Sequence, residues 1–143
     1  MSDVAAELAI RNLVAEYIDA VNRYDGDAWK ATWSEDSVWF LMGMEVRGRE
    51  EVFNLWQGAM GSFEFAIMML NSGTIKVDGD TASGRWYITE HTKPTEGDAS
   101  LVLGVYDDKY RLEDGQWLFA ERRYHVMYHG PADYSAAYQP YPG

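Results

Sequence analysis

Two hydrophobic periods divide the chain. From Asp3 to Tyr24, the residues Ile10, Leu13, Val14, Tyr17, Ile18 and Val21 recur at three- and four-residue spacing, which makes one apolar stripe on an amphipathic helix. Ser2 or Asp3 is placed to cap its first turn. Asp25-Gly26-Asp27 ends it and opens a short second helix, Asp27–Trp33, with Asp25 as the cap between the two and Asp27 near the positive end of the dipole. Glu35-Asp36-Ser37 reads as a turn into the strand Val38–Met42, and Gly43–Arg47 as a loop. Arg49–Met60 returns to helical spacing, with Val52, Leu55, Trp56 and Ala59 on one face and Gly61-Ser62 as its stop.

From Phe63 onward the period is two. Phe63–Leu70 and Thr74–Val77 read as strands with a bulge or bend at Asn71-Ser72-Gly73, and Asp78-Gly79-Asp80 turns the chain into a strand over Thr81–Thr92. After a polar loop at Lys93–Asp98, two apolar-rich runs, Leu101–Leu112 and Gln116–Met127, flank Glu113-Asp114-Gly115 and form an antiparallel hairpin. Helices first and a long sheet afterwards give an α+β plan, with helices on one face of a strongly curved antiparallel sheet. The pocket is expected between the first helix and the concave face. One domain spans 1–143, and the Pro- and Tyr-rich residues 129–143 are expected to pack on their own body or on a neighbouring subunit.

Strand alternation nominates the pocket residues. His125 shares parity with Arg123 and Phe119, and Tyr87 shares parity with His91. Both sets are assigned inward, which sends Glu90 and Arg122 outward. Tyr106, Asp108 and Tyr110 form a third inward set. His129, beside Gly130-Pro131, reads as structural. A histidine inside an aromatic pocket is the usual general base, so His125 and His91 are the candidate bases, and an inward Arg123 suits an anionic oxygen.

Composition sharpens this picture at a few points. Aromatics make up 15% of the chain, with six Trp and ten Tyr, which fits either a well-filled core or a cavity for a flat apolar ligand. The absence of cysteine excludes disulfides and thiolate chemistry. A net charge of −11 argues against nucleic acid and anionic membranes as partners. No apolar run approaches a membrane span, and Asp3 and Glu7 interrupt any signal-peptide pattern, so a cytoplasmic protein is expected. No metal or other cofactor motif is visible.

Several short stretches in order resemble the SnoaL-like branch of the NTF2-like superfamily. They are Tyr17 with Asp25 and Asp36-Ser37-Val38, Arg47-Gly48-Arg49-Glu50, Val77-Asp78-Gly79-Asp80-Thr81-Ala82, Gly104-x-Tyr106-x-Asp108, and Asp114-Gly115-x-Trp117. The resemblance implies an NTF2-like cone and covers nearly the whole chain. That family includes ketosteroid isomerase, scytalone dehydratase, a hexachlorocyclohexane dehydrochlorinase, limonene epoxide hydrolase and polyketide cyclases, together with non-catalytic binding subunits. The Asp–His dyad of the dehydratase and dehydrochlorinase falls on Asn22 and Met68, so both halves are replaced. The isomerase's carboxylate base falls near Phe40–Leu41 and is missing too. Its oxyanion-hole tyrosine and buried acid correspond to Tyr17 and Asp108.

Two readings follow. The first is a cofactor-independent lyase, dehydratase or isomerase acting by acid–base chemistry on a small hydrophobic, aromatic substrate, through elimination, isomerisation or retro-aldol-like cleavage. His125, His91, Tyr17, Asp108 and Arg123 would be catalytic, and Asn22, Trp39, Met68, Tyr87, Tyr106 and Phe119 would line the site. The second is a binding or assembly module that kept the cavity and lost the dyad. Epoxide hydrolysis lacks its Asp–Arg–Asp set. The resemblance also implies a homodimer or homotrimer.

Overall fold

A computed structural model describes residues 3–142. The first helix, α1 (Val4–Arg23), is capped by Asp3, whose side chain accepts from the Ala6 N–H at 3.0 Å, and its buried stripe contains every residue of the predicted one. The alternative cap, Ser2, lies outside the described residues. Asp25 caps α2 (Gly26–Lys30) by accepting from the Ala28 N–H at 3.0 Å, which is the bridging role its position implied. Trp33, assigned to that helix from the sequence, instead begins the strand β1 (Trp33–Leu41).

Residues Met44–Arg47, expected as loop, form β2, an antiparallel partner of β1. Met42 and Gly43 make the two-residue turn between them, with φ of 50° and 82°. Next come α3 (Arg49–Gly61), β3 (Phe63–Asp78), β4 (Thr81–Pro94), β5 (Ser100–Glu113) and β6 (Gln116–Gly130). The two runs expected on either side of Asn71 form one strand interrupted by a register shift between Leu70 and Ser72. Asp114 and Gly115 turn β5 into β6 with positive φ at both positions, the geometry that matches the strands' twist.

All six strands belong to one sheet, in the order β2-β1-β6-β5-β4-β3. The pairings are antiparallel except β1 with β6, which is parallel. α1 lies across the concave face, and the core forms between them around Tyr17, Trp29, Trp33, Trp39, Trp86 and Phe119. Trp29 stacks on Trp56 at 4.6 Å, which fastens α2 to α3 at one side of the cone. Among the described residues no helix is long and apolar enough to cross a membrane.

Two one-residue bulges in β6 decide what faces the concave side. Tyr110 pairs with Phe119 but Lys109 pairs with Glu121, so Ala120 is an extra residue; Gly104 pairs with Val126 but Leu103 pairs with Tyr128, so Met127 is another. Each extra residue reverses the alternation that follows it. Phe119 therefore shares the concave face with Arg122, Tyr124 and Val126, and His129 returns to it after the second bulge. Arg123 and His125 lie on the convex face.

Candidate functional site

A cavity of about 370 Å³ opens on the concave face between α1, α3 and the sheet. Its walls are mostly apolar and aromatic, with Trp39, Trp56, Met60 and Met68 among them. The polar groups that reach it are few: the phenols of Tyr17, Tyr106 and Tyr124, the carboxyl of Glu90, Thr92, Ser100, and His129 at an exposed edge.

Glu90 is the residue that strand parity misplaced. Tyr87 and His91 do share a face, as expected, but it is the convex one, and both are exposed. Glu90 therefore turns inward with Trp86 and Ile88. Alternation tells which residues stand together, not which face is concave. The signal that identifies the face is the apolar weight of Ala82, Trp86 and Ile88 against Arg85, Tyr87, Thr89 and His91.

Burial pushes the Glu90 carboxyl up from 4.5 to about 7, and this outweighs the Tyr124 hydrogen bond and the Arg122 charge, which pull it down. Tyr124 donates to Glu90 Oε2 at 3.3 Å from β6, reaching across the intervening β5. Gly104 makes room for that contact, because a Cβ there would overlap the Tyr124 ring. Burial also raises the phenols of Tyr17, Tyr106 and Tyr124, so all three remain proton donors at neutral pH.

Behind the cavity floor lies a buried ion pair. Arg122 donates to Asp108 through Nε at 2.7 Å and Nη2 at 3.1 Å. Asp108 Oδ2 also accepts from the Tyr110 hydroxyl at 2.7 Å, which in turn accepts from Trp86 Nε1 at 2.6 Å. The Arg122 guanidinium is held between Tyr106 at 3.7 Å, Phe119 at 4.2 Å and Tyr17 at 4.4 Å, measured to the ring centroids. Asp108 holds the guanidinium charged, above its ordinary value, against the opposing effect of burial. A fixed positive charge thus stands one layer behind the Tyr17 and Tyr106 phenols.

The sequence-predicted residues divide accordingly. Tyr17, Trp39, Met68 and Tyr106 line the cavity. Asn22 stands beside it, hydrogen-bonded to the backbone of Met68. Phe119 is fully buried beneath, in edge contact with Tyr17 at 5.4 Å. Asp108 faces inward but lies beneath the floor, where its oxygens accept from Arg122 and Tyr110, so it does not reach the cavity. Arg123 is exposed and stacks on Phe40, and His125 faces Tyr141 of the tail; the Ala120 bulge is the reason neither enters the cavity. Tyr87 and His91 are outside as well. The histidine at the cavity edge is His129, the one expected to be structural.

A family model of the SnoaL-like domain matches residues 2–123. The chain belongs to the SnoaL-like family. Solved structures agree in fold. LinA superposes with a TM-score of 0.84 at 23% identity, covering 96% of this chain and 95% of its own. A proposed scytalone dehydratase from Novosphingobium aromaticivorans gives 0.83 at 20% identity over 98% and 95%. A protein of unknown function from Mycobacterium tuberculosis gives 0.80 at 26% identity over 94% and 84%. Within the SnoaL-like frame, this chain places its inward carboxyl on β4 at Glu90, paired across the strands with Met68. The expected dyad positions, Asn22 and Met68, are in contact, but as amide and backbone.

Proposed function

We propose that this SnoaL-like protein carries out cofactor-independent proton transfer on a small, uncharged, apolar molecule, with Glu90 as the group that takes and returns the proton. The observation that carries this reading is the Glu90 carboxyl in an aromatic cavity, raised to about 7 and held by Tyr124. A carboxyl near 7 is available at neutral pH in both the form that accepts and the form that donates. A proton taken from a carbon beside a carbonyl leaves negative charge on the oxygen. The Tyr17 and Tyr106 phenols, backed by Arg122, supply donors and field for that charge. Elimination and isomerisation both begin with this step. The apolar walls favour an aromatic or alicyclic substrate, and a second carboxylate beside Glu90 would be repelled.

Lyase-type neighbours such as LinA support this class of chemistry by likeness of fold. The experiment is deuterium uptake from heavy water into a panel of aryl ketones and cyclic enones that bind the protein. Uptake by the wild type, falling at least a hundredfold in Glu90→Gln with binding retained, is the expected result. The Asn22–Met68 contact favours a second reading, a binding module, because the family's dyad positions serve packing here. Tight binding across the panel with no uptake into any member would establish that reading and sink the first.

A further inference from the structure

We propose that a groove on the opposite, convex side, between the β1–β2 hairpin and the C-terminal tail, binds a small apolar monocarboxylate held by Arg123 and His125. The groove has a volume of about 600 Å³ and is walled by Phe40, Met42, Met44, Tyr141 and Pro142. It is separate from the cavity of Glu90 but shares Leu41, Met42 and Tyr124 with it as a common wall.

The local charge balance singles out an anion. Two carboxylates border the groove, and both are satisfied: Glu45 pairs with Arg47 at 2.7 Å, and Asp107 pairs with Arg85 at 3.3 Å and accepts from the Tyr141 hydroxyl. Arg123 stands opposite Asp107 in the β5–β6 register but makes no ion pair among the described residues, because the Asp107 oxygens are taken by Arg85 and Tyr141. Its guanidinium lies 3.8 Å from the Phe40 ring centroid, and stacking of this kind leaves the edge N–H groups free to fork onto a carboxylate. Two residues along the same face, His125 Nε2 is buried without a hydrogen-bond partner among the described residues, a cost that a ligand oxygen would remove.

The Tyr141 ring stands edge-on to the imidazole at 5.7 Å. It belongs to a tail segment without regular structure, held here by the Tyr141 hydroxyl on Asp107 and the Arg85 guanidinium on its ring, so a ligand must displace that ring to reach Nε2. A monoanion with an apolar body fits better than a dianion such as phosphate, because the walls are apolar and the chain carries a net charge of −11.

Benzoate is the probe and benzamide its neutral counterpart, each titrated into the full chain and followed by NMR at constant ionic strength. Benzoate is expected to shift the Arg123 Nε–H, the His125 imidazole and the Tyr141 ring in one saturable process. Benzamide should bind at least tenfold more weakly. Arg123→Met, which keeps an apolar side chain on Phe40, should lose at least tenfold for benzoate, whereas Glu90→Gln should not change it. The proposal is overturned by any of three results: equal binding of the two probes, benzoate affinity indifferent to Arg123→Met, or no saturable shift at Arg123 and His125. Shifts confined to Trp39, Met60 and Met68 would count among the last.

Discussion

The side-chain amide of Asn22 grips both backbone polar groups of Met68: Nδ2 donates to the carbonyl at 2.9 Å and Oδ1 accepts from the N–H at 2.7 Å. β3 is the last strand of the sheet, so these groups point away from β4, toward an open edge. Asn22 closes that edge with the last full turn of α1.

At neutral pH an amide does both and a carboxylate cannot. Asn22→Asp keeps one acceptor, loses the donor and sets a carboxylate against a carbonyl. We expect it to destabilise the fold by about 1–3 kcal/mol at neutral pH, with much of the loss recovered at pH 4, where the acid can donate. Urea unfolding at the two pH values checks this. A loss that does not depend on pH would mean that the carboxylate's charge is not responsible.

Glu90 should make stability fall as pH rises. Its folded value of about 7 lies above the ordinary 4.5, so between these values the folded state binds more protons than the unfolded one. Stability is then fully retained below 4.5 and decreases through the window up to 7, by about 3 kcal/mol in all. Glu90→Gln should abolish that slope, leaving stability nearly unchanged at pH 4.5 and higher than wild type at pH 8. Urea midpoints across pH 4 to 8 measure it. A wild-type slope persisting in Glu90→Gln would place the titration elsewhere.

How far the sequence could be read depended on whether a signal was local. The α1 stripe and the Asp114-Gly115 turn are set by neighbours in the chain, and both were legible. β2 was not, because Met44-Glu45-Val46-Arg47 alternates over only four largely exposed positions, too few to separate a strand from a loop, and it is a strand only by pairing with β1. The bulges at Ala120 and Met127 carry no Gly or Pro to mark them, yet the first turns Arg122 and Tyr124 inward in place of Arg123 and His125, and the second returns His129 to that face. Tyr17, Trp39, Met68 and Tyr106 line the cavity; Tyr17 was legible from the α1 stripe, whereas Val38–Met42 and Ala66–Leu70 are unbroken apolar runs in which alternation picks no face, and Met68 was nominated by the family's dyad position.

The Arg122–Asp108 pair should be costly to break singly and cheap to remove together. Arg122→Met leaves a buried carboxylate held only by Tyr110, and we expect a loss of about 3–5 kcal/mol. Arg122→Met combined with Asp108→Leu leaves no orphaned charge and should regain most of it. Thermal unfolding of the two single variants and the double variant forms the cycle. If the losses simply add, the two residues do not act as a pair.

Tyr124 ties the sheet's geometry to the chemistry proposed for Glu90. Its hydroxyl lowers the Glu90 carboxyl by hydrogen bonding to the charged form, so Tyr124→Phe should raise the Glu90 titration above 7. Gly104→Ala should act in the same direction through packing alone, since its Cβ would displace the Tyr124 ring, at a cost of about 1–3 kcal/mol. Carboxyl NMR of Glu90 reads both. An upward shift in both variants is the expected outcome, and deuterium uptake at pH 7 should fall in each as the ionised fraction falls. An unchanged titration in Tyr124→Phe would show that the phenol does not hold the carboxylate, and the Glu90 titration would then be set by burial and the Arg122 charge.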